Sequence, residues 1–580
     1  MRRRLILSAT PLVLAAVVLA GCATTAIPAP ASTATTSAES TQTEVVAAID
    51  TELTSAAVLA ANEDATVVRD DEWSDADAVD IALSGSSATT DAEGVTVNGS
   101  TVTITAAGVY RLSGSLEGQV VVAAPDDALV VLLLDGVDIA NTDGAAIEVQ
   151  TADDVAIALA EDSVNALSDA SAYAEDADVN GALFSEADLT ITGTGRLTVT
   201  GNGNDGITSE DDLVVLSGDI TVEAVNDALR GKDSLTVEGG TLGLTAGGDA
   251  LKSDEDEDAT RGYIAVSGGT ITADAGDDAL SATTDVLLTD GSLELTAGSG
   301  TTTSADASPK AVSAGIVIVV EGGSITADAT DDTLHSDGSI GISGGELMLG
   351  SGDDGVHAEA ALQIGGGTLT VTESVEALEA TDITISGGDI DVTSSDDGVN
   401  ASGPSATAEG GGLGGGGMQD SGETLVITGG TLVVDAGGDG LDSNGSVTIS
   451  GGDSTVYGPT NEGNGALDAN GEFTVTGGTV LAIGSAGMAV SPGASSTQQW
   501  ISATASGAAG DDVEITDAAG QVVASFTSPE AFASVVFSSP AVTDGAQYSV
   551  AVGGAVVATV TEGTATAGSG MGGGGGGRRP

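Results

Sequence analysis

Aliphatic side chains recur two residues apart along most of this chain, and Gly-Gly pairs follow them. Leu235 and Val237 precede Gly239-Gly240, and Ile264 and Val266 precede Gly268-Gly269. Ile340 and Ile342 precede Gly344-Gly345, Ile383 and Ile385 precede Gly387-Gly388, and Leu425 and Ile427 precede Gly429-Gly430. The intervening residues are small or polar, so the period of two predicts short strands with one face inward. A second series keeps step with the first. An acid followed by a small and then an aliphatic residue recurs at Asp205, Asp227, Asp249, Asp278, Asp332, Asp354, Asp397 and Asp439. Lys310 and Glu376 fill the same slot in their coils. Successive spacings are 22, 22, 29, 32, 22, 22, 22, 21 and 42, the long ones containing the insertions 254–260, 298–308 and 403–422.

A fixed period of this length is the signature of a stacked solenoid. One coil runs as strand 316–321, a turn at Gly322-Gly323, strand 324–329, a turn at Thr330-Asp331-Asp332, short strand 333–336, and a turn at Asp337-Gly338. Stacked at about 4.8 Å, such coils align Leu213, Leu235, Ile264, Val286, Ile318, Ile340, Leu362, Ile383, Leu425, Val447 and Phe473 as one interior file. Each coil alone buries little, and the stack supplies the core. The expected fold is all-β, a right-handed single-stranded parallel β-helix with about 22-residue coils. Its hand follows from the crossover rule for parallel strands.

Flanking segments complete the division. Residues 1–21 read as a signal peptide, with Arg2, Arg3 and Arg4 ahead of the apolar run Leu5 to Leu19. Leu19-Ala20-Gly21-Cys22 resembles the bacterial lipobox, which makes Cys22, the only cysteine, the expected lipidation site. Residues 22–62 form an Ala/Thr/Ser tether and a short helix, and 63–484 the β-helix, with divergent first coils over 95–200. After the break at Pro492-Gly493, 485–565 reads as a small antiparallel β segment, either a separate domain or a cap against edge pairing. A Gly-rich tail, 566–580, closes the chain. The expected location is the outer face of the cell membrane, with contact to the membrane through the lipid alone.

Charge narrows the partners. Thirteen Lys and Arg against 87 Asp and Glu give −74, which excludes nucleic acid as a natural partner. The same balance points to cations and to polyanions bridged by them. With 41% hydrophobic residues the chain is no disordered acidic polymer, and a monomer is expected.

The acid column carries the main chemical expectation. Bare carboxylates stacked at this spacing repel by roughly 3 kcal/mol per neighbouring pair at an effective dielectric of 20. Ca²⁺, which takes six to eight oxygens including turn carbonyls, would relieve that. The alternative is that aspartate simply forms turns well. A period of nine, as in the calcium-binding nonapeptide solenoid, does not fit. One residue past each repeat aliphatic lies a second file: Arg230, Lys252, Ser281, His335, His357, Glu379, Asn400, Asp442 and Asp468. Arg230 and Lys252 on adjacent coils suit a uronate carboxylate, and His335 and His357 suit a metal or a ligand. For both pairs an ordinary solvated surface is the preferred reading. No catalytic triad, zinc spacing or phosphate loop is present. Arg230, Lys232 and Lys252 are the only clustered bases, and acids are too abundant for any pair to mark a glycosidase. Binding without catalysis is the first expectation, a polysaccharide lyase or hydrolase the second, and a structural adhesin or spacer the third.

Four runs carry a family resemblance: Gly108-Val109-Tyr110-Arg111-Leu112-Ser113-Gly114, Val131-Leu132-Leu133-Leu134-Asp135-Gly136-Val137, Leu189-Thr190-Ile191-Thr192-Gly193-Thr194-Gly195 and Asn204-Asp205-Gly206-Ile207. With them the chain, over about 85–555, resembles the bacterial carbohydrate-binding domain-containing surface proteins, β-helices similar in fold to pectate lyases. The resemblance implies binding of plant cell-wall polysaccharide, cellulose or polygalacturonate, with calcium in the β-helix and without hydrolysis. The chain departs from a stacking platform for neutral sugars in having few aromatics, chiefly Tyr263, Tyr457 and Trp500. That shifts the expectation toward acidic glycans.

Overall fold

A computed structural model describes residues 53–174, 177–298, 308–403 and 420–565. The signal peptide, Cys22, most of the tether, the bulk of the 298–308 and 403–422 insertions and the tail fall outside the described residues.

The chain winds as a parallel β-helix, each strand pairing in parallel with its counterpart one coil on. Val317–Val320 pairs with Ser339–Ile342, Ser324–Ala329 with Glu346–Ser351, and Leu334–Ser336 with the start of Val356–Ile364. These strands match the coil drawn from the alternation of aliphatic and polar positions. The interior file is continuous in register from Leu213 to Phe473, and every member is buried. Thin coils leave little room for large side chains, so the core is almost entirely Leu, Ile, Val and Ala, with Tyr110 near its start and Phe473 near its end. The Gly-Gly corner has two physical demands. Gly323 has φ +81°, open to glycine at no steric cost. At Gly322 a Cβ would stand 2.3 Å from the Thr289 carbonyl oxygen of the coil below.

The three strands of each coil build three faces. The longest, containing Thr270–Ala275, Ser292–Ala297 and Ser324–Ala329, turns Thr, Ser, Asp and Glu to solvent. The shortest, containing Leu251–Ser253, Leu334–Ser336 and Val399–Ala401, runs beside the acid column. The third presents apolar side chains outward in several coils between Val131 and Val319, and the N-terminal segment covers them. Leu53 and Val58 pack on Leu287, Val317 and Val319, while Val68 and Trp73 pack on Val131, Leu133 and Ala158. Between these ends the Val68 N–H donates to Thr190 Oγ1 at 3.0 Å and Arg69 grips Glu238 with two bonds. The expected short helix is Ser55–Leu59. Residues 63–72 lie in this strap across the coils, and the first paired strand is Val79–Gly85.

Beyond the last coil, Trp500–Gly507 and Phe532–Ser538 pair antiparallel, and Phe532–Ser538 also pairs antiparallel with the terminal coil strand Thr479–Gly484. A four-stranded antiparallel sheet packs behind them on a core shared with Leu481 and Ile483. The end of the solenoid is therefore covered by strands of opposite direction.

Candidate functional site

The acid column is a hydrogen-bonded ladder along the short face. Asp205 Oδ1 accepts the Asp227 N–H at 3.1 Å, Asp227 Oδ1 the Asp249 N–H at 2.8 Å, and Asp249 Oδ1 the Asp278 N–H at 3.0 Å. Asp278 Oδ1 serves the Lys310 N–H at 2.8 Å, Asp332 the Asp354 N–H at 3.0 Å, Asp354 the Glu376 N–H at 3.3 Å, and Asp397 the Asp439 N–H at 2.6 Å. At each of these steps one carboxylate oxygen satisfies a turn amide of the next coil. This explains why an acid recurs there and why Lys310, which offers no acceptor, is tolerated only as a recipient. The other oxygen is left for a cation or a donor.

The ladder lies deeper than a surface column. Asp205, Asp227, Asp249, Asp332 and Asp354 are all buried. Burial, and next the Asp249 carboxylate, push Asp227 and Asp278 up to about 7. Burial, then the Asp397 charge, raise Asp439 to about 7 against the bond from the Gly465 N–H. Burial also raises Asp442 to about 7, with Asp397 and Asp468 adding to it.

The second file is in register as Arg230, Lys252, Ser281, Ser313, His335, His357, Glu379, Asn400 and Asp442. Its bases are engaged from within. Arg230 bonds Glu210 at 2.7 Å and Asp254 at 3.0 Å, and only 13% of its side chain is exposed. Lys252 Nζ lies 2.8 Å from Asp249 and 3.4 Å from Asp227. Lys310 Nζ reaches Asp331 at 2.8 Å.

Further along, the two imidazoles converge on Asp332 Oδ2, His335 Nδ1 at 2.8 Å and His357 Nδ1 at 3.3 Å, their rings edge to face with centroids 4.9 Å apart. Burial alone would raise Asp332, yet the bonds from both rings and from the Asp354 N–H hold it well below the usual carboxylate range. Burial alone would lower His335, but Asp332 and Asp337 bring it up to about 9. An open cleft of about 500 Å³ gathers this group with Lys310, Asp331, Asp353, Asp354, Glu376 and Glu379. Burial and mutual repulsion raise Asp354 and Glu376.

Past the histidines the built-in cations stop. No lysine or arginine occurs between Lys310 and Arg578, so Glu376, Glu379, Asp397, Asp439, Asp442 and Asp468 have no lysine or arginine beside them, and His357 next to Glu379 is the last basic group. Asn400, buried among them, donates from Nδ2 to Glu376 Oε2 at 2.8 Å, while its Oδ1 has no hydrogen-bond partner among the described residues. An orphaned amide oxygen on a side chain bonded to a carboxylate is the kind of donor a hard cation takes. Periodicity located the columns, but the orphaned oxygen depends on side-chain geometry that spacing does not encode. The missing bases, by contrast, were visible as a blank stretch in the sequence. The aromatics offer no stacking platform: Tyr263 and Trp500 are buried, and Tyr457 packs partly against the C-terminal core.

The family described as carbohydrate-binding domain-containing protein matches residues 98–355. The matched segment thus holds the first coils, the strap-covered apolar face, the lysine-filled half of the ladder and His335, and ends at the cleft, two residues short of His357. A carbohydrate-binding domain-containing protein of Acetivibrio thermocellus is 38% identical over 125 residues, 21% of this chain and 44% of that protein. The chain therefore spans less than half the length of this relative. A solved structure of the polysaccharide lyase-like protein from C. thermocellum, a gadolinium derivative, is 31% identical over 46% of this chain and 96% of its own, with a TM-score of 0.38.

Proposed function

We propose that this protein is a surface-anchored receptor for acidic polysaccharide that binds through cations and does not cleave its ligand. The observation that carries this reading is the stretch of the ladder from Glu376 to Asp468, acidic, without a lysine or arginine, and containing Asn400 Oδ1, unpartnered among the described residues. The family match supports carbohydrate as the ligand class. A net charge of −74 repels a uronate polymer unless a divalent ion joins the two. Ca²⁺ suits this donor set, with Glu376, Glu379, Asn400 and Asp442 as its holders, and the ion would offer its remaining coordination positions to uronate oxygens. The buried aromatics argue for this mode over stacking on cellulose.

Two features support binding over turnover. Arg230 and Lys252, the clustered bases, are held in internal ion pairs. Asp354 and Glu379 stand close enough for hydrogen bonding, whereas carboxyls flanking a scissile glycosidic bond stand roughly 5–9.5 Å apart. Lipidation at Cys22 would present the β-helix outside the cell.

The test is retention of the protein on immobilised polygalacturonate and on cellulose, in Ca²⁺ and in EDTA. Retention on polygalacturonate in Ca²⁺, lost in EDTA and weakened at least tenfold by Glu376→Gln with Glu379→Gln, is expected. Retention indifferent to EDTA would remove the cation bridge. No retention on either polymer, or release of unsaturated product absorbing in the ultraviolet, would remove the binding reading.

A further inference from the structure

We infer that His335, His357 and Asp332 form a three-ligand site for a divalent transition metal of the zinc class, distinct from any calcium held by the oxygen-only part of the ladder. The donors come from consecutive coils of the short face, and the strand register that pairs His335 with His357 fixes their separation. A tetrahedral ion with bonds of about 2.0–2.1 Å holds its donors about 3.3 Å apart. The observed donor-to-donor distances are 2.8 Å from Asp332 Oδ2 to His335 Nδ1 and 3.3 Å from Asp332 Oδ2 to His357 Nδ1, all three donors lying within 4.8 Å of one another, which leaves a fourth position for an outside ligand.

The surroundings match what a metal-binding histidine needs. His335 turns its other nitrogen, Nε2, to Asp337 Oδ1 at 3.3 Å, the carboxylate-to-histidine arrangement that fixes the tautomer and orientation of a ligating ring. Asp332 Oδ1 is committed to the Asp354 N–H, which orients Oδ2 toward the two rings. The site opens on the cleft, so an ion has a path in. Two imidazoles select for zinc, copper or nickel over calcium, which takes oxygen donors. The only two histidines of the chain are thus spent on one spot.

Metal-free full-length protein titrated calorimetrically with ZnCl₂, and separately with CaCl₂, tests the site. The expected result is one zinc per chain that an excess of about a hundredfold Ca²⁺ does not displace. Affinity should fall at least a hundredfold in His335→Gln with His357→Gln. Asp337→Asn, at a side chain 72% exposed and so harmless to folding, should weaken zinc by roughly 10–100-fold while leaving Ca²⁺ uptake unchanged. Cobalt should show the visible absorption of a tetrahedral nitrogen–oxygen site. No zinc uptake, or zinc uptake equal in wild type, the double histidine variant and Asp337→Asn, would overturn the inference. Because the readout is metal alone, failure here leaves the polysaccharide reading standing, and the reverse also holds.

Discussion

At the residue scale, each ladder aspartate has two tasks that pull in opposite directions. Its Oδ1 closes a turn of the next coil, which any acceptor of that shape performs. Its charge is buried beside like charges, which a bound cation or protonation relieves. Separating the two is straightforward at Asp278, whose Oδ1 holds the Lys310 N–H. Asp278→Leu should cost about 1–3 kcal/mol by leaving that amide unsatisfied, while Asp278→Asn keeps the acceptor and removes the charge. The pH dependence follows. Asp227, Asp278 and Asp439 have folded pKa values near 7, above the unfolded value of about 3.9. Their contribution is therefore complete at low pH and is lost as pH rises from about 4 through 7. His335, raised to about 9, acts in the same sense at higher pH, its contribution present below about 6.5 and lost through 9. Thermal melting in EDTA should thus occur at a lower temperature at pH 8 than at pH 5, and Asp278→Asn should flatten the decline. A melting temperature that rises over this range would contradict the burial of the ladder.

At the scale of elements, the strap shows where patterning stops short. The coil strands, their Gly-Gly corners and the interior file were legible because period two and period 22 leave marks on every coil. Residues 53–72 carry no repeat. Val317, Val319 and Leu287 looked like ordinary strand residues, although their outward side chains need a cover, and the sequence does not say which segment provides it. The acid column was legible as a file but not as a ladder, because amide-to-carboxylate bonding between coils leaves no trace beyond the acid itself. The strap can be probed through one bond. Thr190→Val removes the acceptor of the buried Val68 N–H with little change of volume. Hydrogen exchange at the Val68 amide should quicken at least tenfold, and amides of the interior strands should be unaffected. Unchanged protection at Val68 would show that the strap is held by packing alone.

On the scale of the whole molecule, basic residues are confined to one part of the solenoid. Arg230, Lys252 and Lys310 neutralise the earlier coils of the ladder from within, the histidines mark the boundary, and the acids from Glu376 onward depend on something external. Strands of opposite direction close the far end, which leaves the hydroxyl-rich face and the acidic edge as the long surfaces open to a polymer. The central assertion is that the later coils hold a hard cation at Asn400. Anomalous diffraction from crystals soaked in Ca²⁺ tests it most directly. A calcium peak coordinated by Asn400 Oδ1 and the Glu376–Glu379 carboxylates, absent after soaking in EDTA, is the predicted result. A map with water alone around Asn400, and calcium either nowhere or only at scattered exposed acids, would contradict it.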